Sequence, residues 1–319
     1  MRLSGTIVGF IIAPCLIAAA HAQTVSIVTT PAGSYSNSGA AAMAKVVGEK
    51  AKVRMILQAQ ASAGFDELET GGAEFNVSNG FDVTFVVAGT GEYEGQAPKQ
   101  KIRTVGSMLP YRVAMHVRAD SDIKTLADLK GKRVSSGFNA QKTIGRIIEA
   151  HLANAGLSYK DVAGVPTPNV VSQANDFKAG KVDVLFFALG SAAIKEAAAT
   201  VGGLRVLPID DSEAAQQRMQ AVLPGSYVIT VAPVPGLDGI TAPTQLIAFD
   251  MVMNSSTDVA DDIVYRVTKA LYENKADLAA TFPPFALFQP ERMGKVVQGV
   301  EMHPGAARFY KEAGIATKM

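Results

Sequence analysis

The sequence holds 319 residues, with 30 Lys and Arg against 29 Asp and Glu, one cysteine and no tryptophan. This near-neutral balance excludes the broad basic surface that nucleic acid or an anionic membrane requires. A lone cysteine excludes a disulfide framework, so the fold must rest on its core, for which this length is sufficient.

The chain opens with Arg2, an apolar run over 7–20 and the small-x-small triplet Ala20-His21-Ala22. That is the pattern of a secretory signal peptide cut ahead of Gln23. The run is too short for a stable membrane anchor, and Pro14 ahead of Cys15 speaks against a lipoprotein site. Removal of residues 1–22 leaves 297 residues, no cysteine, and 29 basic against 29 acidic side chains. The expected location is the periplasm.

Residues 25–28 read as the first strand. The loop Thr29-Thr30-Pro31-Ala32-Gly33-Ser34-Tyr35-Ser36-Asn37-Ser38-Gly39 follows, leading into an alanine-rich helix over 40–50. A strand, a loop of small hydroxyl residues and a helix start present free backbone N–H groups and the positive end of a helix dipole, a fit for a small carboxylate. An ordinary turn with a Ser N-cap is the plainer reading of the same residues. Further strands are predicted at 53–57, 75–77, 84–88, 103–107, 113–117, 133–135, 182–187, 204–207 and 246–251. Helices are predicted at 65–70, 125–129, 142–155, 171–179, 191–199, 212–223, 260–274 and 306–313, with Gly131, Gly156 and Gly180 placed as C-terminal caps.

Strands separated by helices predict an α/β architecture with largely parallel sheets. Residues 111–120 read as a strand crossing into a second lobe, and 223–235 as the return. The expected division is lobe 1 over 23–110, lobe 2 over 111–228, and lobe 1 again over 229–319. A cleft between lobes is a preferred ligand site.

Catalytic and metal chemistry find little support. His116, His151 and His303 have no spacing that a zinc site needs, and no G-x-S-x-G or P-loop motif occurs. Gly89-Thr90-Gly91-Glu92-Tyr93-Glu94-Gly95 falls short of a dinucleotide loop: its third Gly is displaced, and Glu92 and Glu94 repel phosphate. The pairs Asp210-Asp211 and Asp261-Asp262 sit at helix starts, as capping carboxylates do. No cofactor is implied. By contrast, loops of small or hydroxyl residues recur at strand ends: Gln60-Ala61-Ser62-Ala63-Gly64, Ser78-Asn79-Gly80, the run from Ser135 to Thr143, and Phe186-Phe187-Ala188-Leu189-Gly190-Ser191. Shared between two lobes, such loops suggest a polar clamp.

Gly33-Ser34-Tyr35 resembles the glycine-tyrosine loop of the TAXI family, the solute receptors of one branch of TRAP transporters. Val117-Arg118-Ala119-Asp120-Ser121 and the run from Ile123 to Val134 are similar to the family's interlobe segment, a pattern that many periplasmic binding proteins share. Phe186 to Gly190, Leu271-Tyr272-Glu273-Asn274 and His303-Pro304-Gly305-Ala306-Ala307-Arg308-Phe309-Tyr310 match later segments, the last being the most specific. The resemblance covers nearly the whole mature chain, in order. It implies a two-lobed type II periplasmic binding protein fold, closure by a hinge, and delivery of a small organic anion to TRAP membrane permease subunits that use an ion gradient. Ser34 and Ser36 stand where the family has Gly and Tyr. Ala140-Gln141-Lys142-Thr143 replaces a Gly-Ser-Gly-Thr loop, and Asn79 stands where Gln is usual. These departures open the ligand to acids other than glutamate: another amino acid, a 2-oxoacid or a dicarboxylate.

The candidate ligand-binding residues are Gly33, Ser34, Tyr35, Ser62, Asn79, Arg112, Ser136, Gly137, Lys142, Thr143 and Phe187. Lys142, at a helix start where its charge is unfavourable, is placed to pair with a carboxylate, against the alternative of a solvent-facing Lys. Arg112 offers a carboxylate fork or a surface hinge residue. Tyr35 can stack on or hydrogen-bond the ligand. Phe187 is pocket wall or core, and His303 is structural. The expected state is a monomer. A periplasmic sensing module and an exported hydrolase are the competing functions, the latter disfavoured by the missing nucleophile–base pair.

Overall fold

The structure, a computed structural model, describes residues 23–317, and the signal peptide read over 1–22 lies outside them. Strand β1 (Gln23–Thr29) pairs in parallel with β2 (Val53–Ala59) and β3 (Phe75–Asn79). The crossovers are α1 (Tyr35–Lys50) and α2 (Phe65–Thr70), and α3 (Gly80–Ala88) follows β3. Helix α1 buries Ala40, Met43, Val46 and Val47, a stripe at three- and four-residue spacing.

The chain then runs through β4 (Ile102–Arg118) into the second lobe. That lobe holds β5 (Arg133–Gly137), α4 (Lys142–Asn154), β6 (Ala163–Thr167), α5 (Val170–Lys178), β7 (Leu185–Ala188) and α6 (Ala192–Val201). The chain continues with β8 (Leu204–Leu207), α7 (Glu213–Val222) and β9 (Tyr227–Val231). Strand β10 (Thr244–Ser256) leads back to α8 (Asp261–Glu273), α9 (Lys275–Thr281) and α10 (Pro304–Glu312).

Strands β4 and β10 lie antiparallel over ten paired positions, from Ile247 opposite Val113 to Ser256 opposite Ile102. The C-terminal half of β10 pairs with β3, and its N-terminal half with β9. The C-terminal half of β4 carries β7 and β8. Both long strands therefore serve both lobes. Register shifts between Met251 and Val252 and between Met253 and Asn254 mark bulges in this ribbon, where a sheet bends most easily. Across β3 and β10 lies a buried polar knot: Asn254 Nδ2 donates to Asn76 Oδ1 (2.7 Å) and Ser78 Oγ (3.0 Å), and Asn76 Nδ2 to the Ala63 carbonyl (2.8 Å), while Asn254 Oδ1 has no partner. These bonds offset the desolvation of the amides and tie the loop after β2 to the sheet.

Several expectations are corrected. The sheets are mixed: among the described residues parallel pairing joins β1 to β2, β1 to β3, and β5 to β6, and the other strand pairs are antiparallel. The strands read at 103–107 and 113–117 are one strand, β4. The strand read at 84–88 is the end of α3, and the Gly89 loop therefore follows a helix and contains a short 3-10 turn, Gly91–Tyr93. Phe81, Val83, Phe85, Val86 and Val87 have strand-like composition. Burial of Val83 and Val86 against Phe65, Leu68 and Val252, with Gly89 in the left-handed region (φ +64°) as a stop, overrides that local preference. The first-loop helix begins at Tyr35 rather than 40, and residues 125–129 form a 3-10 turn. The segment 223–235 contains β9, which lies beside β10. Strands β6 and β9 and helix α9 have no counterpart in the sequence reading.

Candidate ligand-binding site

The carboxyl ends of β1, β3, β5 and β7 meet between the lobes around a cavity of about 300 Å³. Seven of the eleven sequence-derived residues line it: Ser34, Tyr35, Ser62, Asn79, Lys142, Thr143 and Phe187. Gly33, Arg112, Ser136 and Gly137 do not.

The lobe 1 jaw is built at the start of α1. Ser34 is the N-cap, its Oγ accepting from the Asn37 amide (3.2 Å) and from Thr30 Oγ1 (2.7 Å). Thr30 and Ser36 also share a hydroxyl bond, so three hydroxyls form one small network at the helix end. Gly33 reaches φ +87°, which a residue with a Cβ adopts only under strain, and this sets the turn into the cap. Its carbonyl accepts from the Ala193 amide of α6 across the cleft (3.2 Å).

Tyr35 is fully enclosed, and its hydroxyl has no partner. Burial pushes that hydroxyl above its ordinary range, with the Arg112 charge opposing. Its ring opens an aromatic row along the cleft floor. The Tyr35–Tyr111 centroid distance is 5.1 Å, Tyr111–Phe249 5.4 Å and Phe249–Phe81 4.9 Å. Tyr111 and Phe249 face each other in the β4–β10 register, so the floor is the crossing ribbon itself. The same alternation explains Arg112. Tyr111 and Val113 line the cavity, which sends the intervening side chain to the other face of β4. There Arg112 is 8% exposed and its Nε is unpartnered.

The lobe 2 jaw is the start of α4. Gly137 (φ +86°) and Phe138 (φ +36°) turn the chain through two consecutive left-handed positions, and Phe138 holds its strained conformation by full burial. Ser136 packs against Gly164 of β6 instead of facing the cavity. Gln141 is not the side-chain cap of α4. It reaches over to α5, its Oε1 accepting from the Val170 amide (2.9 Å). Lys142 is exposed at the cavity mouth.

Thr143 is buried, and its Oγ1 donates to Asp82 Oδ2 of α3 (3.1 Å), a bond from lobe 2 to lobe 1. Nearby, Arg146 of α4 forms an ion pair with Glu92, lies 5.2 Å from the Phe85 ring centroid, and donates to the Val222 carbonyl (3.2 Å). The contacts with Asp82, Glu92 and Phe85 bridge the jaws.

Asp82 is the main residue that sequence reading missed. It is 4% exposed, lines the cavity, and leaves Oδ1 without a partner. Burial pushes its carboxyl up to about 7; the Tyr93 hydroxyl beside it and the bond from Thr143 oppose this, and the Glu92 charge adds to it. A signal existed, since a lone Asp inside an apolar run needs a reason, but the strand assignment hid it.

The histidines are structural. His116 and His151 are buried on carbonyls of Leu185 and Ile147, and burial pushes both down to about 4, so they are neutral. His303 caps α10 through Nδ1, which accepts from the Gly305 amide (3.1 Å). Among the described residues, no group of three or more His, Cys, Asp or Glu is placed to hold a metal, and no helix is long and apolar enough to cross a membrane.

Residues 27–314 match the NMT1-like family. Among solved structures, one described as a periplasmic transporter is 12% identical, with 93% of this chain and 94% of that chain covered and a TM-score of 0.59. The periplasmic binding protein BugD is 12% identical, with coverage of 93% and 99% and a TM-score of 0.57. MatC from Rhodopseudomonas palustris, solved with bound malate, is 13% identical, with coverage of 85% and 90% and a TM-score of 0.57. The chain therefore belongs to the NMT1-like family, and its fold is the two-lobed α/β fold of periplasmic binding proteins.

Proposed function

We propose that the protein is an exported solute receptor of the TAXI type, a monomer that captures a small organic acid in the periplasm and delivers it to TRAP permease subunits. The observation that carries this reading is the cavity between two lobes, bounded by the starts of α1, α3 and α4 and bridged by bonds that span the cleft. Its volume suits a molecule of amino-acid size, and its walls are mainly apolar with a few convergent polar groups, the usual character of a small-molecule site. The free amides and dipoles of α1 and α4, with Lys142 at the mouth, favour a carboxylate. The likeness to MatC, solved with malate, agrees with that chemistry. We place lobe 1 over 23–110 and 229–319 and lobe 2 over 111–228, with the hinge in β4 and β10.

A thermal-shift screen of amino acids, 2-oxoacids and dicarboxylates tests the reading. At a hundredfold excess over Kd a ligand adds about 2.7 kcal/mol, which raises the melting temperature by several degrees. A response confined to sugars or cations refutes the organic-acid class. Turnover of a bound acid, lost on mutating a cavity residue, restores the hydrolase reading.

A further inference from the structure

The cavity has a charge pattern of its own. Its lining carries four charged side chains, Lys99, Asp66, Lys142 and Asp82. Lys99 and Asp66 form an ion pair and cancel. What remains is one cation at the exposed mouth, Lys142, and one carboxyl deep inside, Asp82, whose Oδ1 has no partner. A buried carboxyl oxygen without a donor costs free energy unless a ligand supplies one. The cavity walls also include Val77, Val113, Phe186 and Phe249, which offer contact but no charge.

We propose that the cavity takes a zwitterion: an amino acid with a single carboxylate, whose ammonium donates to Asp82 Oδ1 and whose side chain is small and apolar. This rests on the reading of the cavity as a solute site and narrows it. The ligand carboxylate lies toward Lys142 and the start of α4, and its ammonium points inward. A dicarboxylate brings a second negative charge for which the lining has no free cation, and places it beside a carboxyl. A 2-oxoacid offers Asp82 only an acceptor. The groups facing Asp82 are Thr143 of α4, Tyr111 of β4, and Tyr93 and Glu92 of the turn after α3; none is cationic. Because burial holds the Asp82 carboxyl up to about 7, an arriving ammonium expels a proton at neutral pH, whereas a 2-oxoacid draws one in.

The test is titration calorimetry on the mature protein and its Asp82→Asn variant with L-valine, L-leucine, their 2-oxo counterparts, L-glutamate and malate, in two buffers of different ionisation enthalpy. The expected result is that the two apolar amino acids bind the wild type best and release protons. Asp82→Asn then weakens them about tenfold or more, as loss of a charge-assisted bond does, and leaves the 2-oxoacids unchanged or tighter. If a 2-oxoacid, L-glutamate or malate binds the wild type as tightly as L-valine and L-leucine, the zwitterion assignment falls while solute capture stands. If none of the six binds, both fall. The ligand comparison on the wild type decides the matter even where the variant fails to fold.

Discussion

Thr143→Val removes one hydroxyl and almost nothing else, and that hydroxyl joins the two lobes. In the wild type Thr143 Oγ1 lies 3.1 Å from Asp82 Oδ2, with the two residues 3% and 4% exposed. A buried hydrogen bond to a group that carries charge is worth about 1.5–3 kcal/mol, and Asp82, held up to about 7, is charged only part of the time at neutral pH. A value between the neutral and charged cases, about 1–2 kcal/mol, is therefore expected, a factor of about 5 to 30 in the balance of closed over open forms. Because the bond exists only where the lobes touch, the cost falls on closure and not on the folding of either lobe. The mature chain has no cysteine of its own. Two introduced cysteines, one on the exposed Ala97 and one on the exposed Asn139, can carry spin labels whose separation reports the balance directly. A shift toward longer distances in Thr143→Val, with a urea midpoint lowered by no more than that shift accounts for, is the expected result. An unchanged distance distribution with a lowered midpoint refutes the reasoning, since the bond then belongs to one rigid body.

The remaining predictions concern stability. Asp82 has a carboxyl raised from 3.8 to about 7, so its contribution is present below 3.8 and is lost as pH rises through 7; His116 and His151, lowered from 6.5 to about 4, contribute stability above 6.5 that is lost as pH falls through 4. Asp82→Asn should therefore gain stability relative to the wild type between pH 4 and 7, measured by urea unfolding; a parallel pair of pH profiles contradicts the burial argument. Gly64→Ala places a methyl 2.3 Å from Val28 Cγ1 at a backbone φ of +76° and should cost about 3 kcal/mol or more, whereas Gly71→Ala, at φ +80° in open space, should cost only about 1 kcal/mol. Equal denaturation midpoints for the two would rule out the clash. His303→Ala removes the cap on the Gly305 amide and the contact of Nε2 with the Val259 carbonyl (3.2 Å), and should lower stability by about 1–2 kcal/mol with ligand response retained.

The local grammar of the chain made much of the cleft legible. Small hydroxyl residues after an apolar run, followed by a helix, are a short-range pattern, and Ser34, Ser62, Asn79 and Thr143 could be placed from it. Tyr35 and Lys142 followed as neighbours of those loops. What failed were matters of direction and of distant pairing. Arg112 is adjacent to the floor residue Tyr111, but strand alternation turns it away. Gly137 shapes the loop without reaching the cavity, and Ser136 is absorbed by β6. Asp82 was lost because α3 has the composition of a strand and becomes a helix through burial that no local window contains. The antiparallel partners of β4 lie 69 or more residues away along the chain, beyond any periodicity in the sequence.

The ribbon of β4 and β10 has a consequence for how this molecule comes apart. Neither lobe owns a complete sheet. Loss of β10 strips β3 and β9 of a partner at once, and loss of β4 strips β7 and β8. The two lobes joined by this ribbon are thus one unit toward denaturant and heat. Unfolding should proceed as a single transition, with fluorescence from tyrosines in either lobe and helical circular dichroism losing signal together. The same backbone that allows the jaws to part keeps either one from melting alone.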